Sequence, residues 1–220
     1  MKRILIFGDS NSWGYLDDES GNRYARRWPQ TTANALAANH LAAEIIEDCL
    51  PGRTTNLPDP VMGAEFSGIA SLPASVKSHQ PLDLVLIMLG TNDLKTRFNR
   101  QAEDIASALS QLVHIVKASG AGAGGWHAQT APSIAIICPP RLGMRVNEAD
   151  WPRYAEWRGG FEISENLPRH VARMCQSEAV HFIDANEGAS SSERDPIHWT
   201  AEMHHQFGNF MAERITEILL

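Results

Sequence analysis

Leu84-Val85-Leu86-Ile87-Met88-Leu89 is the most apolar run of the chain, and Gly90-Thr91-Asn92-Asp93 follows it directly. The run shows no alternation of apolar and polar residues, which favours a central strand of a parallel sheet that is covered on both faces. The glycine and the polar residues after it predict a turn at the carboxyl end of this strand.

Other strands and helices are predicted around this one. Apolar runs that end in turn or polar residues predict strands at Arg3–Phe7, Ser133–Cys138 and Val180–Ile183, with Ala43–Ile46 as a candidate fifth. Thr31–Leu41 is rich in alanine and is predicted to be helical. Two apolar stripes at spacings of three and four predict further helices: Ile105, Leu109, Leu112, Val113 and Val116, and, after a capping Thr200, Met203, Phe207, Met211, Ile215 and Ile218. This alternation predicts an α/β fold, a parallel sheet with helices on both faces.

The bulk properties limit the classes of protein. The 220 residues, of which 43% are hydrophobic, predict one domain over 1–220. A net charge of −7 without a dense Lys/Arg stripe argues against nucleic acid as a partner. No run approaches the roughly 18 apolar residues of a membrane span, and Ile4–Phe7 is too short for a signal-peptide core. We therefore expect a cytoplasmic protein that binds no membrane.

Cysteine usage and motifs predict neither a metal nor a cofactor. The three cysteines are an odd number without metal-like spacing, so we expect free thiols in a reducing compartment. The adjacent His204 and His205 lie on a predicted helix and point in different directions, which makes them a poor metal pair. The sequence also contains no G-K-[ST] nucleotide loop.

Ser10 is a candidate nucleophile. The segment Ile6-Phe7-Gly8-Asp9-Ser10 takes the first predicted strand into a glycine-containing turn at the carboxyl edge of the sheet, where α/β proteins build their sites. A helix predicted after the turn would offer free N–H groups near the serine. The alternative is a turn serine that only caps this helix.

A serine hydroxyl needs a base to take its proton, and His198 is the histidine with a useful neighbour. It lies in Asp195-Pro196-Ile197-His198, just before the last predicted helix. A carboxylate on one ring nitrogen would fix the tautomer and stabilise the imidazolium. The alternative is an ion pair on the surface.

Acyl transfer also needs donors for an oxyanion, and two turns offer them. The Asn92 side-chain amide can donate, whereas Asp93 is expected to cap the next segment or brace the loop. In Leu50-Pro51-Gly52-Arg53, Gly52 could place its backbone N–H beside an oxyanion, although any Pro-Gly pair makes a turn. Trp13, three residues after Ser10, could narrow the acyl site or simply pack in the core.

Two stretches look irregular. Residues 119–132 contain four glycines and Trp126, which indicates either a mobile loop or a contact surface between subunits. Residues 141–161 follow a strand end and carry Trp151 and Trp157. They are interpreted as a lid or substrate-facing insertion, or as an ordinary surface excursion.

Taken together, the clusters resemble the SGNH, or GDSL-type, hydrolase family. The family is marked by a G-D-S serine near the N-terminus, a glycine in a second block, a G-x-N-D asparagine and a D-x-x-H near the C-terminus. Here these are Gly8-Asp9-Ser10, Gly52, Gly90–Asp93 and Asp195–His198, in the same order. The resemblance implies a flavodoxin-like α/β/α sandwich, a Ser10–His198–Asp195 triad, and an oxyanion hole made by the Ser10 N–H, the Gly52 N–H and the Asn92 side chain.

A closer similarity concerns the bacterial aryl esterase and acyltransferase branch. It rests on Phe7–Ser10 with Trp13-Gly14, on Arg53–Asn56, and on Pro81-Leu82-Asp83 leading into Ile87–Asp93. This resemblance implies a preference for short acyl chains, acyl transfer to alcohols and a homo-oligomer.

The predicted function is therefore a serine esterase that hydrolyses small, short-acyl carboxylic esters through an acyl-enzyme. A carbohydrate deacetylase, a lysophospholipase or a thioesterase would use the same triad. The alternative of another class is a non-catalytic module that binds a flavin or a phosphate at the Gly8–Ser10 turn.

Overall fold

The computed structural model describes residues 1–18, 20–127 and 129–220. Its five strands are β1 (Lys2–Gly8), β2 (Ala43–Cys49), β3 (Leu84–Met88), β4 (Ser133–Cys138) and β5 (His181–Asp184). All adjacent strands are parallel, in the order β2-β1-β3-β4-β5. This is the flavodoxin-like strand order, so the predicted three-layer α/β/α sandwich is confirmed.

Seven α-helices flank the sheet in the described part of the chain. They are α1 (Ser10–Trp13), α2 (Trp28–Ala38), α3 (Gly68–His79), α4 (Ala102–Ala118), α5 (Tyr154–Trp157), α6 (Gly160–Glu178) and α7 (Ala201–Leu219). Helices α3 and α6 were not predicted from the apolar spacing. Each contains an internal proline, Pro73 in α3 and Pro168 in α6, and proline inside a segment argues against a helix. Helix α2 begins earlier than predicted, at Trp28, because Pro29 suits the first turn of a helix.

Each face of the sheet has its own hydrophobic core. On one face, Leu5 and Phe7 of β1 share a buried cluster with residues of α3, α4 and α6. On the other, Ile4 and Ile6 share a cluster with Trp28 of α2 and residues of α7. The alternate residues of β1 thus serve opposite layers, as a strand buried on both sides requires. None of the helices in the described ranges combines the length and hydropathy of a bilayer crossing.

Strand order positions the site. Strands β1 and β3 lie side by side at the centre of the sheet, and their chains leave in opposite directions across the strand order. The crevice at the carboxyl ends of two such strands is where open α/β sheets bind ligands. Ser10 follows β1 and Asn92 follows β3, so both lie at this crevice.

Candidate active site

A cavity of about 340 Å³ lies at the carboxyl edge of the sheet. Its lining includes every residue proposed for the triad and the oxyanion hole: Ser10, Gly52, Asn92, Asp195 and His198. Its volume lies in the range of a small-molecule site, roughly 300–1,000 Å³. Four separate stretches of the sequence therefore converge on one cavity.

Ser10 is the first residue of the short helix α1. Asp9 caps this helix, with its side chain accepting a hydrogen bond from the Asn11 N–H at 3.1 Å. Ser10 itself is almost fully buried, and its backbone N–H has no acceptor among the described residues. A free N–H at a helix start is a ready donor for negative charge.

His198 connects Ser10 to Asp195. Its Nε2 lies 3.0 Å from Ser10 Oγ, and its Nδ1 lies 2.6 Å from Asp195 Oδ2. The other carboxylate oxygen, Oδ1, accepts the Ile197 N–H at 2.8 Å. This is the nucleophile–base–carboxylate geometry of a serine hydrolase, with the base within reach of the hydroxyl proton.

The environment of Asp195 favours its charged form. Burial acts to raise the pKa of this carboxyl, but the hydrogen bond and the charge of His198, together with the backbone N–H groups of Ile197 and His198, outweigh it. The pKa of Asp195 therefore lies below its ordinary value. An ionised Asp195 can orient the imidazole and stabilise it when it takes a proton.

Two further donors, Gly52 and Asn92, line the same cavity as the triad. The Gly52 N–H has no acceptor in the described part of the chain, and its residue adopts φ +92°. Glycine suits this left-handed backbone because it has no Cβ, which here would collide with the Met62 side chain. The Asn92 amide donates to the Arg53 carbonyl oxygen at 3.1 Å, which anchors it and leaves its second N–H available.

Asp93 braces the loop after β3. This was one of the two roles expected from the sequence, the other being a cap for the next segment. It accepts hydrogen bonds from the Thr55 N–H at 2.9 Å and the Thr55 hydroxyl, and it pairs with Arg100 at 2.9 Å. Arg100 also donates to the Asn56 side chain at 2.7 Å. The turn after β3 is thereby tied to the segment that follows Gly52.

Trp13 was expected either to narrow the acyl site or to pack in the core, and it does neither: it is half-buried and lies outside the cavity lining, whereas Tyr15 lines the cavity. Gly14, at φ +86°, ends α1 in the left-handed conformation and turns the chain back, so that the Tyr15 N–H bonds to the Ser10 carbonyl at 2.9 Å. The Tyr15 ring stacks on His198 with centroids 4.5 Å apart. Trp13 contacts Tyr15 instead, at 6.3 Å between ring centroids.

The sequence analysis did not assign four other residues to the cavity wall: Met62, Lys95, Arg153 and Trp157. Lys95 stands two residues after Asp93, so its place next to the G-x-N-D block was a usable signal. Arg153 and Trp157 belong to the 141–161 segment, and their position agrees with a substrate-facing insertion rather than an ordinary surface excursion. In the other irregular segment, 119–132, Ala128 lies outside the described residues, and Trp126 is exposed.

Among the described residues, no group of three His, Cys, Asp or Glu side chains is placed to hold a metal ion. His204 of α7 is fully buried where this helix packs against α2, and its Nδ1 accepts a hydrogen bond from the Trp28 N–H at 3.4 Å. Cys49, Cys138 and Cys175 are free thiols. The cavity thus presents the chemistry of a hydroxyl, an imidazole, a carboxylate and amide donors.

Comparison with known proteins gives a family match over most of the chain. The model of the GDSL-like Lipase/Acylhydrolase family matches residues 6–206. A carbohydrate acetylesterase structure from Sinorhizobium meliloti has a TM-score of 0.89 and 33% identity, over 99% of this chain and 100% of that chain. An inhibitor-bound aryl esterase structure from M. smegmatis has a TM-score of 0.89 and 35% identity, over all of both chains.

A curated protein from Escherichia coli K12, thioesterase 1/protease 1/lysophospholipase L1, is 28% identical over 160 residues. The match covers 73% of this chain and 63% of that protein, so the chain spans less than two thirds of this relative.

Proposed function

Because the chain belongs to the GDSL-like lipase/acylhydrolase family, we propose that it hydrolyses small carboxylic esters with Ser10 as nucleophile. The observation that carries the proposal is the unbroken contact from Ser10 Oγ to His198 Nε2 at 3.0 Å and from His198 Nδ1 to Asp195 Oδ2 at 2.6 Å. The similarity to an aryl esterase and to a carbohydrate acetylesterase over the whole chain supports the choice of an ester as substrate.

The proposed reaction has two steps. His198 takes the proton of Ser10 Oγ as this oxygen attacks the ester carbonyl carbon, and Asp195 stabilises the resulting imidazolium. The N–H groups of Ser10 and Gly52 and the Asn92 amide receive the oxyanion. The alcohol leaves with the proton from His198, and water then releases the acyl group from Ser10 with the same base.

The size of the cavity supports a short acyl group. About 340 Å³ must hold both the acyl and the alcohol parts of an ester, and Tyr15 and Trp157 form aromatic walls. Acetyl esters are therefore the proposed substrates to try first. A rate that rises steadily from acetyl to octanoyl esters would contradict a narrow site.

The decisive experiment labels the nucleophile. A serine-directed organophosphonate should add once to the protein, and peptide mapping should locate the adduct on Ser10. Ser10→Ala should lose the adduct and the turnover of a chromogenic acetyl ester, whereas Ser12→Ala, two residues away on the same helix, should keep the adduct. An adduct on another residue, or unchanged turnover in Ser10→Ala, would refute the proposal.

Three alternatives within the same chemistry have support from relatives. The similarity to a carbohydrate acetylesterase from Sinorhizobium meliloti supports acetylated sugars as substrates of this chain. The similarity to thioesterase 1/protease 1/lysophospholipase L1 from Escherichia coli supports thioesters or lysophospholipids. A panel of an aryl acetate, an acetylated sugar, an acyl thioester and a lysophospholipid ranks them by kcat/KM.

Transfer of the acyl group to an alcohol, a homo-oligomeric assembly and a cytoplasmic location remain part of the proposal. They rest on the sequence resemblance to the aryl esterase and acyltransferase branch and on the sequence features described above. Product analysis in water with added alcohol, light scattering of the purified protein and cell fractionation test them in turn.

A further inference from the structure

A lysine without a hydrogen bond lies in the wall of the catalytic cavity. Only 4% of the Lys95 side chain is exposed, and the residue lines the same cavity as Ser10. Its nearest carboxylate oxygen, Glu156 Oε1, is 3.7 Å from Nζ, and no described residue accepts a hydrogen bond from this ammonium group. An ammonium group carries three donors, and those of Lys95 are therefore available to a ligand in the cavity.

The surrounding charges do not neutralise this wall. Glu156 is shared by three cations, since it also pairs with Arg97 at 2.9 Å and with Arg153 at 2.9 Å. Arg97 has a second partner, Asp59, at 2.8 Å. Three cations therefore face two carboxylates, and the surplus of one positive charge lies beside the cavity.

Arg153 adds a second set of donors to the same wall. Its Nε and one terminal nitrogen both bond to Glu156 Oε2, at 3.1 and 2.9 Å, and the other terminal nitrogen has no acceptor among the described residues. Trp157 lies below both cations, with its ring centroid 5.4 Å from Lys95 and 5.3 Å from Arg153. Lys95 is thereby shielded from solvent on the side of the Trp157 ring, and shielding from water strengthens charge–charge attraction.

We propose that Lys95 and Arg153 form an anion subsite that selects esters carrying a carboxylate. This inference rests on the proposed function and narrows its substrate class. The cavity is small, so the carboxylate must lie within a few bonds of the scissile carbonyl, on either the acyl or the alcohol side. Bound there, it would supply the acceptor that the Lys95 ammonium lacks.

The test compares esters that differ only in this charge. On the acyl side, monophenyl glutarate is compared with its carboxamide analogue; on the alcohol side, 3-acetoxybenzoate is compared with 3-acetoxybenzamide. For each pair, the quantity measured is the ratio of kcat/KM for the carboxylate to kcat/KM for the amide. We expect a ratio of roughly 10 to 100 for one of the two pairs, because a hydrogen bond to a charged group contributes a corresponding stabilisation.

Variants connect this ratio to the proposed residues. Lys95→Met keeps the length of the side chain and should lower the ratio about tenfold or more, and Arg153→Gln, at a partly exposed position, should lower it several-fold. Lys117→Met is the matched control, because Lys117 also pairs with a glutamate, Glu178 at 3.1 Å, but on α4 and outside the cavity lining. Circular dichroism of each variant verifies its fold.

The outcomes separate the two proposals. A wild-type ratio near or below one in both pairs overturns the anion subsite, as does a ratio that neither Lys95→Met nor Arg153→Gln changes, or one that Lys117→Met lowers equally. Lys95 would then be a structural partner of Glu156 alone. If Ser10→Ala still releases phenol, or the wild type cleaves none of the four esters, the proposed function itself fails.

Discussion

Asn92 and Asp9 are two buried polar residues, one beside each of the central strands, and each has one hydrogen-bonding site left over. The Asn92 amide uses one N–H on the Arg53 carbonyl, and Asp9 uses Oδ1 on the Asn11 N–H. Asp9 Oδ2 is buried and has no partner among the described residues. The unused N–H of Asn92 bears on catalysis, whereas the unused oxygen of Asp9 bears on stability.

Asn92→Ala should lower kcat on an acetyl ester by on the order of 10²–10³, because an oxyanion donor acts chiefly in the transition state. KM should change much less, since the ground-state carbonyl gains little from this bond. Stopped or steady-state kinetics with a chromogenic acetate gives both values. Loss confined to KM would assign Asn92 to substrate binding rather than to the oxyanion.

Asp9 should make stability depend on pH. Burial raises the pKa of Asp9 from 3.8 to about 6, although the Asn11 N–H and the charge of His198 act against this. A raised folded-state pKa means that the stabilisation is complete below about pH 4 and is lost as the pH rises to about 6.

Asp9→Asn cannot ionise, so its free energy of unfolding relative to wild type should increase by about 2 kcal/mol between pH 4 and pH 7. Urea denaturation at the two pH values measures the difference. Asp150→Asn, at an exposed position, is the control that should show no such change. A constant difference for Asp9→Asn would place the ionisation of Asp9 outside this pH range.

At the level of elements, α2 and α7 pack more closely than any sequence pattern suggests. Gly208 of α7 has no side chain, and a Cβ there would overlap Thr31 of α2. The Thr32 hydroxyl donates to the Gly208 carbonyl at 2.9 Å. The close approach leaves His204 fully buried against Tyr24 and Trp199, with ring centroids at 5.3 Å in both cases.

The apolar stripe of α7 could be predicted from the sequence, whereas the complete burial of His204 could not. Phe207, Met211 and Ile215 are fully buried on the face that the spacing of three and four indicates, and Thr200 caps the helix through a bond to the Met203 N–H. Periodicity reports which face is buried but not how near the opposing helix comes. That distance depends on Gly208 and its contact with α2, which no local pattern contains.

The burial of His204 predicts a loss of stability in acid. Burial, followed by the charges of His198 and Arg27, lowers the pKa of His204 from 6.5 to about 3. Below about pH 6.5, His204 is therefore protonated in the unfolded chain but stays neutral in the folded chain. The free energy of unfolding is fully present above that pH and decreases as the pH falls.

His204→Gln removes this titration and keeps an acceptor for the Trp28 N–H. Between pH 7 and pH 5 we expect wild type to lose about 2 kcal/mol more unfolding free energy than the variant. Chemical denaturation at both pH values tests this, with the exposed neighbour His205→Gln as matched control. If the two variants behave alike, His204 titrates in the folded protein as an ordinary histidine.

At the scale of the whole molecule, the cavity wall joins segments that the sheet does not organise. Arg97 bonds to Asp59, in the chain between β2 and α3, and to Glu156 of α5. The carboxylate of Asp59 is completely buried and also accepts the Val61 and Met62 N–H groups at 2.8 and 3.2 Å. One guanidinium therefore connects two sides of the wall.

Arg97→Gln should lower Tm by roughly 4–8 °C, because it leaves a buried carboxylate short of its cation at a cost of about 2 kcal/mol. Arg214→Gln, which removes a partly exposed ion pair within α7, should lower Tm by far less. Differential scanning calorimetry compares the two. Equal shifts would show that the Arg97 bridge contributes no more than a surface pair.

The site residues at the strand ends could be predicted from the sequence, whereas the residues of the cavity wall beside Lys95 could not, and the difference has a physical reason. Parallel strands bring their carboxyl ends to one edge, so Ser10 and Asn92 meet once the sheet is recognised. Lys95 and Arg153 lie outside the α-helices and strands, and Trp157 lies in the single-turn helix α5. The course of these segments is set by ion pairs between remote parts of the chain, such as the pair of Arg97 with Glu156. Such pairs have no period and no fixed spacing, which is why the anion subsite emerges only from the structure.

Asp195 and His198 occupy a single turn of chain, and their mutual geometry is set locally by the bonds from the Ile197 and His198 N–H groups to Asp195. Proton transfer in this hydrolase accordingly depends on only one alignment between remote parts of the chain, that of residue 198 with residue 10. The recognition wall is built from other segments and shares no backbone with that alignment. We therefore expect that substitutions in this wall can change which ester is accepted while the alignment of His198 with Ser10 stays the same.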